Sequence, residues 1–381
     1  MSLFFITFFT LYGLLHLYAF MKARAALSFG VKASIPIIAF LALMTFAPMI
    51  VRYLENFEFE LSARVMSYIG YIWMGILILF FSLALCIDIY RLLVYLTGLI
   101  FQKDLSSLSC SAKFSFFIPL IFAIAAGSYG YFEARNIHVE HLTVKSSKIP
   151  DEHNNIRIVQ ISDVHVGLIV REERLKRIIG KVKNAAPDIL VCTGDLVDGQ
   201  INKLEGLAEL FRDIKPRYGK YAITGNHEYY AGLDQSLDFT EKAGFKILRG
   251  ETVDIAGVLN IAGVDDNTGR QFGLSAGESE KEILSRLDPA KYRILLKHRP
   301  LVDKNVLGLF DLQISGHTHK GQIFPFSLIT KLYYPRHAGY LSLPNNSHLY
   351  VSRGTGTWGP PIRFLSPPEV TVIELLHEDS K

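Results

Sequence analysis

Long apolar runs dominate the first third of the 381-residue chain. A helix needs about 20 predominantly apolar residues to cross the hydrocarbon core of a bilayer. Four runs approach that length and short charged loops join them, which predicts a transmembrane anchor of about four helices over residues 1–132 rather than the core helices of a soluble protein. The runs cover residues 2–20, 34–51, 68–87 with a continuation over 92–101, and 114–132.

The pattern changes beyond residue 132. Charged residues become frequent, and short apolar runs typical of buried strands alternate with segments whose apolar residues recur at helical spacing. This alternation predicts an α/β layered domain over residues 154–381, joined to the anchor by a linker over residues 133–153. The predicted strands cover residues 156–161, 189–192, 220–223, 259–264, 293–296, 311–314, 349–351 and 370–375.

Composition and charge exclude two classes of protein. Three cysteines cannot build a disulfide framework, and a net charge of +4 without a concentrated basic patch argues against nucleic acid as a partner.

The basic residues of the anchor are unevenly spread over its loops. The positive-inside rule places the loops that are rich in Lys and Arg in the cytoplasm. In the first loop these residues are Lys22, Arg24 and Lys32, and in the third they are Arg91, Lys103 and Lys113. We therefore expect an integral protein of the plasma (inner) membrane whose C-terminal domain is extracytoplasmic.

Side chains that can bind metals follow five of the predicted strands. A single Asp or His at a strand end is usually a helix cap or a surface residue, but five clusters in one domain are hard to explain in that way. Ligands bind at the carboxyl ends of the strands in open α/β sheets, so these clusters predict one shared site. The residues are Asp163 and His165, Asp195, Asn226, His298, and His317 and His319.

The types of side chain narrow the choice of metal. Pairs spaced two residues apart can each face neighbouring metal positions, and the carboxylate of Asp195 has two oxygens with which to bridge two ions. Imidazole and oxygen ligands without thiolate suit Mn, Fe, Zn and similar ions better than Ca or Mg. Two divalent metal ions are therefore the expected cofactors.

In this order the clusters resemble the signature of the calcineurin-like metallophosphoesterases, over about residues 154–375. The apolar runs, together with residues 351–354 and 357–363, are similar to the transmembrane branch of that family. That branch includes bacterial phosphodiesterases similar to the UDP-diacylglucosamine hydrolases. The motifs that carry the resemblance are Asp163-x-His165, Gly194-Asp195, Gly225-Asn226-His227-Glu228, His298 and Gly316-His317-x-His319.

The resemblance implies a four-layer α/β/β/α domain and a role for each ligand. His227 would lie just outside the metals, where it protonates the leaving group or steadies the phosphate. The first metal would be held by Asp163, His165 and His319, the second by Asn226, His298 and His317, and Asp195 would bridge the two.

The expected reaction is hydrolysis of a phosphodiester or pyrophosphate bond. Two cations about 3.5–4 Å apart lower the pKa of a shared water, and the resulting hydroxide attacks a phosphoryl group whose charge they neutralise. Arg353 and Arg363 are candidates to clamp the phosphate, with ordinary surface charge as the alternative. Lys320 stands where this branch often has Gly and could add a phosphate contact. The expected substrate is a phosphoester on a lipid or a nucleotide-lipid, which an enzyme anchored in the membrane can reach.

Two other functions stay open. A phosphomonoesterase or phosphoprotein phosphatase would use the same metals, and a membrane phosphate sensor would keep the fold without hydrolysis. The apolar segment 323–334, directly after the last two histidines, is either a pair of core strands or a membrane-facing lip that admits a lipid tail.

Overall fold

The structure is a computed structural model that describes residues 3–153, 155–199, 204, 206–274 and 277–378. The chain divides into two compact units. The first is Met1–Phe132 together with Gly359–Phe364, and the second is Glu133–Trp358 together with Leu365–Lys381. The predicted domain boundary at residue 154 and the last three residues of the predicted domain lie outside the described residues.

The first unit is a helical bundle. Its helices are α1 (Leu3–Leu27), α2 (Val31–Thr45), α3 (Ala47–Asn56), α4 (Glu60–Phe101) and α5 (Ala112–Glu133). Two single helices, α1 and α4, are long and apolar enough to cross a membrane, and so is the segment Ser106–Glu133 that contains α5. The pair α2 and α3 is bent by 55° and would add a fourth span if it crosses as one.

Side-chain contacts give the direction of each helix in the bundle. Later residues of α1 contact later residues of α4, so these two helices run parallel. Contacts of α1 with the α2 region, and of α5 with α4, run in opposite order, so these pairs are antiparallel. The N-terminal end of α1 and the C-terminal end of α5 therefore lie at the same end of the bundle. The contacts are His16–Trp73 and Lys22–Asp88 between α1 and α4, Phe9–Phe46 and Phe20–Phe29 between α1 and the α2 region, and Phe116–Phe80 and Gly127–Ile76 between α5 and α4.

The α4 helix continues through a charged position where the apolar run 68–87 ends. The carboxylate of Asp88 accepts a hydrogen bond of 2.7 Å from the Tyr18 hydroxyl and forms an ion pair with Lys22. Ionisable residues inside apolar bundles are tolerated when they are paired in this way. Residues 68–101 therefore belong to one helix rather than to a span and a separate segment.

The second unit contains two six-stranded mixed sheets with helices outside them, which confirms the predicted layered α/β class. The strands are β1 (His138–Ser146), β2 (Ile156–Ile161), β3 (Ile189–Cys192), β4 (Lys220–Ala222), β5 (Lys246–Ile247), β6 (Glu251–Ile255), β7 (Leu259–Gly263), β8 (Tyr292–Leu296), β9 (Leu312–Ser315), β10 (Gly339–Ser342), β11 (His348–Val351) and β12 (Glu369–His377). The first sheet has the order β1-β12-β2-β3-β4-β5 and the second β10-β11-β9-β8-β7-β6. The helices are α6 (Glu172–Asn184), α7 (Leu207–Arg212), α8 (Asn226–Ala231), α9 (Leu233–Lys242), α10 (Thr268–Gln271), α11 (Glu280–Ser285) and α12 (Phe326–Tyr333).

Three apolar cores separate the layers of this unit. The central core joins residues of both sheets, such as Ile158 and Ile294. One outer core packs α6, α7 and α9 against the first sheet, where Leu175 and Phe211 are buried. The other covers the second sheet and includes Ile283 of α11. The strands β2, β3 and β4 are parallel to one another, and so are β8 and β9, so each set directs its carboxyl ends to one edge of its sheet. The two edges meet, because the His317 N–H after β9 donates to the Asp163 carboxylate after β2 at 3.0 Å.

Two segments differ from the predicted domain organisation. Residues 133–153, predicted to be a linker, contain β1, which pairs in parallel with β12 along nine residues. Because β1 is an edge strand with largely polar, half-exposed side chains, its sequence lacks the alternation of a buried strand. Within the predicted domain 154–381, Gly359–Phe364 belongs to the first unit, where the Arg363 N–H donates to the Gly130 carbonyl at 2.9 Å.

Candidate metal centre

The predicted ligands lie in two neighbouring groups at the shared strand edge. Asp163, His165 and His319 form one group, and Asp195, His298 and His317 form the other. Within each group the potential ligand atoms lie within 4.8 Å of one another. All of these side chains are buried except that of His317, which is partly buried. The fold thus assembles residues that are up to 156 positions apart in the sequence.

Distances within the first group point to a common centre. The Nε2 atoms of His165 and His319 face each other at 3.1 Å, and the same His319 nitrogen lies 3.5 Å from Asp163 Oδ1. The loop after β2 supplies Asp163 and His165, and the loop after β9 supplies His319.

The second group has the same character. His298 Nε2 lies 3.2 Å from Asp195 Oδ2, 3.2 Å from Asn226 Oδ1 and 3.1 Å from His317 Nδ1. Asp195 Oδ2 is also 3.9 Å from His165 Nε2 in the first group. One carboxylate oxygen therefore faces both groups, as a bridging ligand would.

These residues fit divalent transition metals. Metal–ligand bonds of about 2.0–2.2 Å place neighbouring ligand atoms of one coordination shell about 2.8–3.6 Å apart. The distances inside both groups fall in or near that range. Two of them join a pair of ring nitrogens, whose lone pairs repel each other unless one nitrogen carries a proton or a cation lies between them. A cation shared by these lone pairs explains why they converge.

The backbone is held in an unusual conformation at the same residues. Five of the ligands have positive φ: Asp163 (51°), His165 (54°), Asp195 (51°), His317 (72°) and His319 (48°). Residues with side chains avoid this left-handed region, and such conformations cost about 1–3 kcal/mol each and cluster at functional sites. The surrounding fold therefore holds the ligand loops in place at a cost to stability.

Two glycines allow the ligand loops to approach each other. A Cβ at Gly225 would overlap the Asp195 carboxylate, and a Cβ at Gly316 would overlap the side chains of Ser162 and Asp163. The sequence motifs Gly194-Asp195, Gly225-Asn226 and Gly316-His317 thus combine a ligand with the space that a neighbouring ligand needs.

Hydrogen bonds orient the histidine rings. His298 Nδ1 donates to the Thr193 carbonyl at 2.8 Å, which leaves Nε2 as its ligand atom. His317 Nε2 lies 3.0 Å from the Tyr334 hydroxyl, which leaves Nδ1 facing His298. Partners of this kind fix the tautomer of a ligating histidine. The sequence gives Tyr334 no link to the ligands, because it is 17 residues from His317 and ends the apolar segment 323–334, which carries no motif.

His227 lies beside the ligands and is paired with Asp198. Its Nδ1 is 2.9 Å from Asp198 Oδ1, and its backbone N–H donates to Asp195 Oδ1 at 2.8 Å. The opposite ring nitrogen, Nε2, points away from Asp198. Asp198 was not assigned a role from the sequence, although its position three residues after Asp195 on the same loop was a usable signal.

Glu228 joins two of the ligand loops. Its carboxylate accepts backbone hydrogen bonds from Gly225 at 2.7 Å, Asp195 at 3.0 Å and Leu196 at 2.8 Å. It thereby ties the loop after β3 to the start of α8, which carries Asn226. Its contribution is to position the ligands.

Burial and neighbouring charges shift the pKa values of the site. Burial lowers the pKa of His165 to about 4 and of His317 to about 3, so both rings are neutral and have free lone pairs at pH 7. Burial opposes a charged His227, but the carboxylates of Asp195 and Asp198 outweigh it and raise the pKa of His227 to about 9. Burial likewise opposes a charged Asp195, but His298 and His227 hold the pKa of this carboxyl well below its usual range.

Two of the three predicted phosphate contacts, Arg353 and Arg363, are engaged away from the ligands, and Lys320 stays a prediction. The guanidinium of Arg353 pairs with Glu369 at 2.7 Å and with Glu140, so it ties β12 to β1. Arg363 is fully buried in the first unit, which closes it to a substrate. Lys320 is half-buried beside His319, and its backbone N–H donates to the Thr318 hydroxyl at 3.2 Å.

Arg299, next to His298, extends the network around Tyr334. Its Nε donates to Asp266 at 2.8 Å and its Nη1 lies 3.4 Å from the Tyr334 hydroxyl. The pair with Asp266 fixes the guanidinium, so it can hold Tyr334 next to His317.

Comparison with known proteins agrees with this arrangement. Residues 156–321 match the calcineurin-like phosphoesterase family. An uncharacterized metallophosphoesterase of Aquifex aeolicus (strain VF5) is 42% identical over 257 residues, which cover 67% of this chain and 98% of that protein. The chain belongs to the calcineurin-like phosphoesterase family.

Other members of the calcineurin-like phosphoesterase family match more of the chain. An uncharacterized metallophosphoesterase of Campylobacter jejuni is 33% identical over 81% of this chain and 83% of that protein. A "Transmembrane protein with metallophosphoesterase domain" of Danio rerio is 30% identical over 76% of this chain and 72% of that protein. The family is dinuclear and metal-dependent, and the described residues of this chain include the two candidate metal-binding groups.

Proposed function

We propose that this phosphoesterase is anchored in a membrane and hydrolyses a phosphodiester or pyrophosphate bond with two divalent metal ions. The observation that carries the proposal is the pair of ligand groups that share the carboxylate of Asp195. Mn, Fe, Zn or similar ions suit its mixture of imidazole, carboxylate and amide ligands.

The reaction assigns distinct tasks to the residues of the site. When bound, two divalent cations would activate a water molecule and neutralise the charge of the phosphoryl group. Asp195 would hold both cations, and His227 would deliver a proton from Nε2 to the leaving oxygen. Asp198 orients the His227 ring and favours its protonated form. The ester is thus attacked on one side and its leaving group protonated on the other.

Apolar side chains around His227 support a substrate with an apolar portion. The His227 ring lies 5.4 Å from the Tyr230 ring and 5.9 Å from the Trp358 ring, and both aromatic side chains are about half exposed. Trp358 is fixed by two hydrogen bonds to the Gln322 side chain. A lipid-linked phosphoester would place apolar atoms against these rings, so we propose this substrate class.

The helical bundle supports the membrane anchor and its orientation. The bundle begins and ends on one side, and the loops after α1 and α4 lie on the other. Those loops and the adjoining helix ends carry the concentrated basic residues. The positive-inside rule then puts them in the cytoplasm and the phosphoesterase domain outside it, at the plasma membrane. The name of the Danio rerio relative agrees with an anchor.

Activity of the purified full chain tests the hydrolysis. We expect metal-dependent cleavage of bis-p-nitrophenyl phosphate but not of p-nitrophenyl phosphate. Asp195→Ala and Asn226→Ala should abolish cleavage while the protein stays folded, and Asp238→Ala, on the exposed face of α9, should leave it unchanged. Preference for the monoester would favour a phosphomonoesterase. Phosphate binding without turnover under any metal would favour a sensor.

Cysteine labelling in intact cells tests the orientation. Asp238→Cys adds a thiol to the domain, and the native Cys110 lies in the loop between α4 and α5 as an internal reference. An impermeant maleimide should label position 238 and spare Cys110. The opposite pattern would place the domain in the cytoplasm.

A further inference from the structure

The α12 helix presents its apolar side chains to solvent. None of the eight described residues Phe326–Tyr333 is buried. Six large apolar side chains within ten residues are exposed, whereas the polar residues Ser327 and Thr330 face inward and are half-buried. The apolar six are Phe324, Phe326, Leu328, Ile329, Leu332 and Tyr333.

This helix disagrees with one of the two expectations for segment 323–334. It is not a pair of core strands, since α12 is a helix on the surface of its unit. A contiguous exposed apolar patch on a soluble unit is rare and marks an interaction surface. An amphipathic helix with its polar face inward exposes its apolar face, which is unfavourable in water and favourable in contact with an apolar medium such as lipid.

The charge around α12 favours an anionic surface. Residues 320–343 contain Lys320, Lys331 and Arg336 and have no Asp or Glu. Lys331 and Arg336 are exposed, next to the apolar residues. Basic residues that flank aromatic and aliphatic side chains are typical of helices that lie in a lipid headgroup region. The same chain carries apolar helices long enough to span a bilayer, and such an anchor would tether this unit to a lipid surface.

We propose that α12 and the preceding Phe324 dock on the surface of an anionic lipid bilayer. Docking would set the metal centre at the membrane surface, because Tyr334 directly follows α12 and its hydroxyl contacts the metal-ligand candidate His317. The site would then select phosphoesters whose headgroups lie in the interface and whose acyl chains stay in the bilayer. This substrate class rests on the proposed function, whereas the docking of α12 does not.

Depth-dependent fluorescence quenching tests the docking on the full chain. Cys86→Ala and Cys110→Ser remove the accessible thiols, while Cys192 is buried. Leu332→Cys is labelled with an environment-sensitive nitrobenzoxadiazole dye, and Asp238→Cys on α9 is the matched control with a similarly exposed position. Both proteins are reconstituted in vesicles of phosphatidylcholine with phosphatidylglycerol that contain a nitroxide-labelled lipid, and aqueous iodide is the second quencher.

At position 332 we expect the dye emission to be blue-shifted, quenched by the nitroxide lipid and unaffected by iodide. At position 238 we expect no blue shift, quenching by iodide and no quenching by the nitroxide lipid. Lys331→Gln should lower the equilibrium constant for docking about fivefold in anionic vesicles, the factor that one basic residue contributes near such a surface. In pure phosphatidylcholine the substitution should have little effect.

Two results would overturn the proposal. Equal quenching by iodide at positions 332 and 238 would show that α12 stays in water. Protection from both quenchers would show that a protein, such as a second copy of this chain, covers it. Hydrolysis of bis-p-nitrophenyl phosphate in the same sample is scored separately, so an inactive protein with a docked α12 would contradict the proposed function alone.

Discussion

Replacing Tyr334 with Phe tests whether the second ligand group holds a metal through a correctly oriented His317. The Tyr334 hydroxyl is 3.0 Å from His317 Nε2, on the opposite side of the ring from the nitrogen that faces His298. For His317 Nδ1 to offer a lone pair, Nε2 must carry the proton and donate it to Tyr334. Tyr334→Phe removes that acceptor and lets the ring rotate or change tautomer.

The expected effect is a weaker metal site with unchanged chemistry. Loss of the partner of a ligating histidine typically lowers metal affinity about 10–100-fold, which corresponds to about 1.4–2.7 kcal/mol. His317 is only partly buried, so water replaces part of the lost bond. We therefore expect the lower end of that range, about tenfold.

Two measurements separate affinity from catalysis. Competition with a chelating dye gives the dissociation constant of the metal, and hydrolysis at increasing metal concentration gives the concentration at half-maximal rate. Both should rise about tenfold in Tyr334→Phe, and the rate at saturating metal should stay near that of the parent protein. Tyr333→Phe is the control, because the Tyr333 side chain is exposed on α12. An unchanged dissociation constant in Tyr334→Phe would refute the assignment of His317 Nδ1 as a ligand.

Three further predictions concern other parts of the site. Asp198→Asn should slow hydrolysis of esters with poor leaving groups by about 10²-fold or more, because His227 loses its partner in acid catalysis. The same substitution should affect p-nitrophenyl esters far less, since their leaving group needs little protonation. Equal losses for both kinds of ester would contradict that role. Gly225→Ala should reduce the metal content per chain, because a Cβ there overlaps Asp195, while Gly180→Ala, at a position with open space, should bind as much metal as the parent. Metal removal by a chelator should lower the melting temperature of the domain, since a ligand at 100 times its Kd adds about 2.7 kcal/mol of stability. The chelator should not change the melting temperature of Asp195→Ala, which lacks the shared carboxylate.

The sequence was sufficient for the eight inner strands and for the kinds of ligand, but not for the four edge strands β1, β5, β6 and β10. The spacing of apolar residues within a short segment indicates whether that segment forms a buried strand or a buried helix face, and this spacing can be read from neighbouring residues alone. Residues 156–161 and 189–192 were therefore predicted as strands, and Asp163 and Asp195 were recognised as polar groups at their ends. The half-exposed β1 lacks such spacing, and the same local reasoning missed it.

Only the tertiary structure decided which groups meet. The pairing of Asp198 with His227 and of Tyr334 with His317 depends on loops that the sheets bring together, and neither pair has a sequence period. Arg353 likewise looked available for phosphate until the pairing of β1 with β12 brought Glu140 and Glu369 to it.

The apolar character of residues 323–334 shows the same division between sequence and fold. Sequence determines that these side chains avoid water, but whether they are covered depends on what packs against them. In this fold only the polar face of α12 meets its own unit, so the apolar face stays outside. Hydrophobicity is a property of each residue, whereas burial is a property of the arrangement of all residues, and only the second requires the structure.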